Sequence, residues 1–150
     1  MKNHQLLVVM ILSLAACSTK SSSTTVDREQ SAATLAPTEF SGERAFEHVR
    51  RLVALGPRPV GSEAHARMRA YLLAELKGYG LSVRTEEFRA QTPLGEKPMV
   101  NIIAERAGAS EDVIILASHY DTKLFTDFSF VGANDGGSST GALLELARVL

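Results

Sequence analysis

The sequence predicts an α/β fold on a mostly parallel sheet, from the order of its periodic segments and from one apolar run. From residue 40 onward the patterns follow the order helix, helix, strand, strand, strand, helix, which is typical of an α/β sheet. Residues 113–117, Val-Ile-Ile-Leu-Ala, are apolar without polar alternation. Such a run suits a strand covered on both faces, as strands of parallel sheets are.

Two helices open the predicted domain. Ser41 is a candidate N-cap for the first helix, and Gly56-Pro57 ends it. Ser62 is the candidate N-cap of the second helix, which runs to about Lys77. The side chains expected to face the core are Ala45, Phe46, Val49, Leu52 and Val53 in the first helix and Met68, Tyr71, Leu72 and Leu76 in the second.

Two neighbouring strands are expected after the second helix. Leu81, Val83 and Thr85 alternate with polar residues, and residues 99–104 form a further apolar run. A loop over residues 91–98 is expected to join them.

Candidate metal ligands flank the third predicted strand and the last helix. His119 and Asp121 follow residues 113–117, and ligands bind at the carboxyl ends of strands in open α/β sheets. Asp135 stands just before the last predicted helix, whose helical spacing is carried by Leu143, Leu146, Ala147 and Leu150. Imidazole nitrogen and carboxylate oxygen suit Zn²⁺, and Asp121 is placed to accept the second N–H of His119.

Each of these residues also has an ordinary structural interpretation. On the tripeptide alone, His119 and Asp121 fit an exposed histidine and a solvated carboxylate better than a metal site. Asp135 lies in Asn-Asp-Gly-Gly, which is strong turn and capping chemistry. His48 and His65 are expected to be surface residues rather than ligands. The loop phenylalanines fit a substrate pocket and core packing equally well; they are Phe125, Phe128 and Phe130.

Several motifs, in order, resemble the zinc aminopeptidase and glutaminyl cyclase family. They are Gly-Pro-Arg-Pro-Val-Gly-Ser at 56–62, Gln-Thr-Pro-Leu-Gly at 91–95, Asn-Ile-Ile at 101–103, His-Tyr-Asp-Thr-Lys at 119–123 and Phe-Val-Gly-Ala-Asn-Asp at 130–135. The resemblance covers residues 46–150 and implies a three-layer α/β/α fold with a mixed, mostly parallel central sheet. It implies zinc ligands at His119 and Asp135, with Asp121 supporting catalysis beside them. Asp135 is implied as a ligand in both branches of the family, whereas His119 is implied as one in the aminopeptidases and need not be one in the cyclases.

The resemblance implies an enzyme acting on peptide or protein N-termini, and the motifs divide between its two branches. Gln-Thr-Pro-x-Gly, Lys-x-Phe and Phe-Val-Gly-Ala resemble animal-type glutaminyl cyclases, which hold one zinc and form pyroglutamate with release of ammonia. The loop from Asn134 to Gly141 resembles the aminopeptidases, which hold two zinc ions and release N-terminal residues. The cyclase is the preferred interpretation and the aminopeptidase the alternative. An inactive or peptide-binding lipoprotein fragment is the second alternative.

Residues 1–16 resemble a bacterial lipoprotein signal peptide. Lys2 precedes an apolar stretch far shorter than the ~20 residues that span a bilayer. Leu-Ala-Ala-Cys resembles a lipoprotein cleavage box, at which Cys17 becomes lipidated; the alternative is an ordinary signal peptide cut near Ala16. Residues 17–39, rich in Ser, Thr and Ala, predict a flexible tether to a domain over residues 40–150. The expected location is the bacterial cell envelope, with a lipid anchor in the outer membrane facing the periplasm or the cell surface.

Length and composition limit the number of domains and the kinds of partner that this protein can have. The 150 residues suffice for about one domain, and 16 Lys and Arg nearly balance 17 Asp and Glu. No basic run interleaved with aromatic residues is present, so no nucleic-acid partner is expected. Cys17 is the single cysteine, which excludes a disulfide within the chain.

Because the sequence stops inside a predicted helix, we expect the N-terminal part of a longer protein whose other ligands and general acid or base follow Leu150.

Overall fold

The computed structural model describes residues 39–150, in which helices pack with a two-stranded sheet. The elements of this part of the chain are α1 (Gly42–Ala54), α2 (Glu63–Gly78), β1 (Ser82–Thr92), β2 (Gly95–Glu105) and α3 (Ser139–Val149), with a π-helical turn at Ala133–Ser138 leading into α3. The predicted signal peptide, Cys17 and the tether up to residue 38 lie outside the described residues.

Serine side chains begin the first two helices, as predicted. The Ser41 hydroxyl accepts the backbone N–H of Arg44 at 3.3 Å, and the Ser62 hydroxyl accepts that of His65 at 3.1 Å. Each bond satisfies one of the amide groups that a helix leaves unpaired in its first turn. Beyond the end of α1, Gly56 has a φ of 79°, a left-handed conformation that glycine adopts without strain.

The hydrophobic core joins all three helices. Its buried members are Leu52, Met68, Leu72 and Leu144, and the partly buried residues packed against them are Leu55, Tyr71, Leu76, Ile102 and Tyr120. The predicted inward faces of α1 and α2 are therefore largely confirmed. Phe46 is an exception, because its ring lies half exposed under the Arg50 guanidinium, 4.5 Å from the ring centroid.

The helical spacing expected in α3 is present, but the apolar residues that carry it are not the residues that α3 buries. Its buried residues are Thr140, Gly141, Leu144 and Glu145, whereas Leu143, Leu146 and Ala147 are only half buried and Leu150 is exposed. The reason is the close approach of α3 to α1. A Cβ on Gly141 would stand 2.6 Å from the carbonyl oxygen of Ala45, so the helices meet on the side that carries glycine. Hydrophobic spacing did not reveal this side, because its small and charged residues interrupt the apolar pattern.

The two strands form one antiparallel hairpin. Pairing runs from Ser82 opposite Glu105 to Thr92 opposite Gly95, leaving two residues in the turn. The predicted loop over residues 91–98 is therefore wrong, since most of it belongs to the strands. The Thr92 hydroxyl accepts the N–H of Leu94 at 3.1 Å and donates to the carbonyl of Gly95 at 2.7 Å. One side chain therefore stabilises the whole turn through two hydrogen bonds.

Residues 113–117 form no strand within the described part of the chain, in contrast to the prediction. Ile114 and Ile115 are 87% and 82% exposed. A strand exists through its ladder of hydrogen bonds to a neighbour, and β1 and β2 are the strands of the described sheet. The described residues thus combine helices with a sheet, while the mostly parallel three-layer arrangement stays a prediction.

Two histidines predicted to lie on the surface are buried instead. His48 packs between the hydroxyl groups of Tyr71 and Tyr79, and His65 stacks on Tyr120. The polar imidazole is tolerated inside because it finds hydrogen-bonding and aromatic partners there.

Within residues 39–150 we find no helix with both the length and the apolar character needed to cross a membrane.

Candidate metal centre

The three predicted site residues lie close together at the surface. Nε2 of His119 lies 3.0 Å from Oδ1 of Asp135, and its Nδ1 lies 3.6 Å from Oδ1 of Asp121. The side chains of His119 and Asp135 are 55% and 58% exposed, so both remain accessible to a ligand. One imidazole therefore faces two carboxylates, one on each side of the ring.

The π-helical turn before α3 directs Asp135 toward His119. Asp135 and Gly136 have non-helical dihedral angles, with φ and ψ of −75° and 103° for the aspartate and 77° and −36° for the glycine. A Cβ on Gly136 would lie 2.9 Å from Cε1 of His119. Glycine is therefore required twice at this position, for its backbone conformation and for the space that the imidazole occupies. Asp135 stands in a turn, as its ordinary interpretation held, and also faces the histidine.

The first residues of α3 hold the backbone of His119. The Thr140 hydroxyl donates to the carbonyl of His119 at 3.1 Å, and the Ser139 hydroxyl lies 2.6 Å from that of Ser118. The Ser139 hydroxyl also donates to the carbonyl of Gly136 at 3.3 Å. Sequence reasoning missed these contacts, because serine and threonine after two glycines signal only the start of a helix.

Tyr120 anchors the site to the core from behind. Its ring stacks on that of His65, with centroids 5.3 Å apart, and its hydroxyl donates to the carbonyl of Val100 in β2. Burial raises the pKa of the Tyr120 hydroxyl and lowers the pKa of His65. With residue 120 directed inward, His119 and Asp121 are left on the accessible side.

The loop phenylalanines form a small surface cluster. The rings of Phe125 and Phe128 lie 4.3 Å apart and those of Phe125 and Phe130 lie 5.2 Å apart. None of the three is fully buried, and Phe128 is half exposed. Core packing is therefore not what the cluster provides within residues 39–150, while its role in a substrate pocket stays a prediction.

The geometry of His119 and Asp135 fits two ligands of one zinc ion. With bonds of about 2.0–2.1 Å in a tetrahedral site, neighbouring donor atoms stand about 3.3 Å apart. The observed separation of 3.0 Å is close to that value. The part of the chain that the structure describes has no cluster of three or more histidine, cysteine or acidic side chains suited to a metal ion. It therefore supplies two donors toward the three that a catalytic zinc site normally uses.

A histidine and an aspartate thus stand together ahead of α3, at a distance that suits two ligands of one zinc ion. The comparisons with known proteins agree: the model of Peptidase family M28 matches residues 101–150. The chain belongs to the zinc aminopeptidase and glutaminyl-peptide cyclotransferase family.

Its relatives include members of both branches. A glutaminyl-peptide cyclotransferase of Drosophila melanogaster is 32% identical over 125 residues, which cover 76% of this chain and 35% of that protein. A glutaminyl cyclase structure from an Acidobacteriales bacterium has 39% identity and a TM-score of 0.70, covering 79% of this chain and 42% of that one. A Zn-dependent exopeptidase structure from Parabacteroides distasonis has 32% identity and a TM-score of 0.69, covering 75% and 42%. The chain spans about a third or less of the length of the curated relatives it matches.

Proposed function

We propose that this chain belongs to a zinc-dependent glutaminyl-peptide cyclotransferase that converts N-terminal glutamine of peptides or proteins into pyroglutamate. The observation that carries the proposal is the approach of His119 to Asp135 at 3.0 Å, beside Asp121. Curated relatives named as glutaminyl-peptide cyclotransferases support the cyclase branch. In the reaction the α-amine nitrogen bonds to the γ-carboxamide carbon of the same glutamine, the carbon–nitrogen bond of the amide breaks, and ammonia leaves.

The side-chain chemistry of His119, Asp121 and Asp135 assigns a different role to each residue in this reaction. Asp135 and His119 would hold one zinc ion, and Asp121 would accept the N–H at Nδ1 of His119, which keeps Nε2 free to bind. Bound zinc supplies Lewis acidity toward the γ-carboxamide oxygen. Shuttling a proton from the amine to the leaving ammonia requires a general acid and base, which we expect outside residues 39–150.

An aminopeptidase is the second candidate, and a specific observation favours it. The loop from Asn134 to Gly141 has the aminopeptidase form, and solved neighbours include a Zn-dependent exopeptidase and a leucine aminopeptidase precursor. In that case His119 and Asp135 would help to hold two zinc ions, which would supply Lewis acidity toward a water molecule. The reaction would consume one water and release the first amino acid of the peptide.

One experiment separates these candidates. The purified protein is incubated with a peptide that begins with glutamine and with one that begins with leucine, and zinc content, ammonia and peptide mass are measured. About one zinc per protein, ammonia release and an intact backbone establish the cyclase. About two zinc ions and free amino acids establish the aminopeptidase. Binding of either peptide without turnover would favour the peptide-binding alternative, and Asp135→Ala serves as the control lacking a metal ligand.

The proposal extends to the architecture and location of the protein. We propose a three-layer α/β/α fold with a mixed, mostly parallel sheet, because the exposed apolar side chains of residues 113–117 need cover on both faces. We also propose a lipid anchor on Cys17 in the bacterial envelope, supported by the Leu-Ala-Ala-Cys sequence. Cys17→Ser should then release the protein from the membrane fraction.

A further inference from the structure

Arg58 joins the end of α1 to the segment that leads into the Asp135 turn. Its side chain is fully buried, and its Nη1 donates to three backbone carbonyls. These are the carbonyls of Leu52 at 2.9 Å, Gly56 at 3.0 Å and Val131 at 2.9 Å. The first two acceptors lie at the C-terminal end of α1, where a cation is favoured by the helix dipole.

The backbone of Arg58 holds the other segment of the site. Its N–H donates to the hydroxyl of Thr122 at 2.7 Å, and its carbonyl accepts the N–H of Thr122 at 3.1 Å. Thr122 is buried directly after Asp121. Its methyl group would lie 2.9 Å from a Cβ on Gly132, so Thr122 packs against the glycine that follows Val131.

A buried guanidinium is costly, and packing alone does not require one. Within residues 39–150, Nε and Nη2 of Arg58 have no hydrogen-bond partner. Burial lowers the pKa of the guanidinium, while the charge of Asp121 opposes that effect. A charge kept inside despite this cost indicates a role that a hydrophobic side chain would not fill.

We propose that Arg58 is a positioning residue of the zinc site, which holds the Thr122 and Val131 segments together so that His119 and Asp135 meet. This inference rests on the proposed zinc-dependent function. Arg58 acts through its neighbours, because its hydrogen bonds go to backbone carbonyls and to Thr122 rather than to the ligands. Lysine keeps the charge, but its shorter side chain should not bring Nζ to the position from which Nη1 of Arg58 contacts all three carbonyls, so it should fill this role poorly.

The test compares Arg58→Lys and Thr122→Val with the unsubstituted protein. Zinc affinity is measured by competition with a chelator, and the absorption spectrum of the cobalt-substituted protein reports the ligand arrangement. We expect zinc binding about 10- to 100-fold weaker in both variants, with an altered cobalt spectrum. In the metal-free protein, amide exchange at residues 119–122 and 131–136 should be faster in both.

A matched control separates positioning from loss of stability. Leu72→Val shortens a buried core side chain of α2 and removes no hydrogen bond of either segment, so it should lower the unfolding temperature while leaving zinc affinity and the cobalt spectrum unchanged. Unchanged affinity and spectrum in Arg58→Lys and Thr122→Val would overturn the inference, as would an equal loss of affinity in Leu72→Val. If Arg58→Lys does not fold, Thr122→Val decides. An unsubstituted protein that binds no zinc would instead overturn the proposed function, and the inference with it.

Discussion

The buried carboxylate of Glu145 in α3 accepts the backbone N–H of Ser41 at 2.8 Å. Ser41 also caps α1, so one contact ties the start of the first helix to the middle of the last. Arg148 pairs with the same carboxylate and holds the pKa of Glu145 below its usual range. The helix that follows Asp135 is thereby fixed against α1, and this packing positions the candidate metal centre.

Replacing Glu145 tests this tie. Glu145→Ala leaves the buried N–H of Ser41 without an acceptor, and we expect the free energy of unfolding to fall by about 1–3 kcal/mol. Glu145→Gln keeps an oxygen that can accept the same N–H and should cost less. Urea denaturation of the two variants provides the measurement, and equal losses would show that the Ser41 contact does not carry the effect.

Replacing Gly136, which lies beside His119, is expected to weaken metal binding more than it lowers stability. In Gly136→Ala the new methyl group meets the imidazole in a backbone conformation that alanine rarely adopts, so zinc affinity should fall about tenfold or more. Gly141→Ala is the matched control, because its methyl group meets Ala45 and Val49 of α1 instead. It should lower stability by about 1–3 kcal/mol with a smaller change in zinc affinity. Chelator competition measures zinc affinity and denaturation measures stability in both variants. A larger loss of zinc affinity in Gly141→Ala than in Gly136→Ala would contradict the prediction.

The ligand assignments predict a graded series of zinc affinities. Asp135→Ala and His119→Ala each remove a donor atom and should abolish tight binding, whereas Asp121→Ala removes only the partner of Nδ1 and should weaken it about 10- to 100-fold. Isothermal titration with zinc gives the affinities. Tight binding retained by His119→Ala alone would remove His119 from the ligand set and leave Asp135 in it.

Stability should decrease as the pH falls below about 6.5. Burial lowers the pKa of His48 and of His65 from the value of 6.5, so the unfolded chain binds more protons than the folded one below that pH. Stability is therefore fully present above pH 6.5 and is lost as the pH falls toward the folded-state values, with a slope of at most about 1.4 kcal/mol per pH unit for each histidine. Denaturation between about pH 5 and pH 8 measures the slope.

The histidine variants supply the control for that pH dependence. His48→Gln and His65→Gln should each flatten the profile over this range, since glutamine does not titrate. A slope unchanged in both would assign the pH dependence to other groups.

Local patterns in the sequence were sufficient for the features that depend on neighbouring residues. Ser41 and Ser62 cap their helices because capping needs only a hydroxyl and an amide a few residues later. The inward side chains of α2 follow from helical spacing alone. The family was also readable, because several short motifs occurred in one order.

Long-range packing decided what such patterns could not show. The buried side of α3 depends on how closely α1 approaches Gly141, and the buried positions of His48 and His65 depend on tyrosines elsewhere in the chain. The exposure of Ile114 likewise follows from which strands lie beside it, not from its own hydrophobicity.

The candidate site shows the same division. The sequence by itself identified His119, Asp121 and Asp135 as candidate metal-site residues, through the order of the motifs that carry them rather than through the spacing within any one motif. Only the tertiary structure decided that His119 and Asp135 approach to 3.0 Å, that Gly136 lies against the imidazole and that Arg58 holds the Thr122 segment. Distances between separate segments depend on contacts made by every element in between, and no local pattern encodes them.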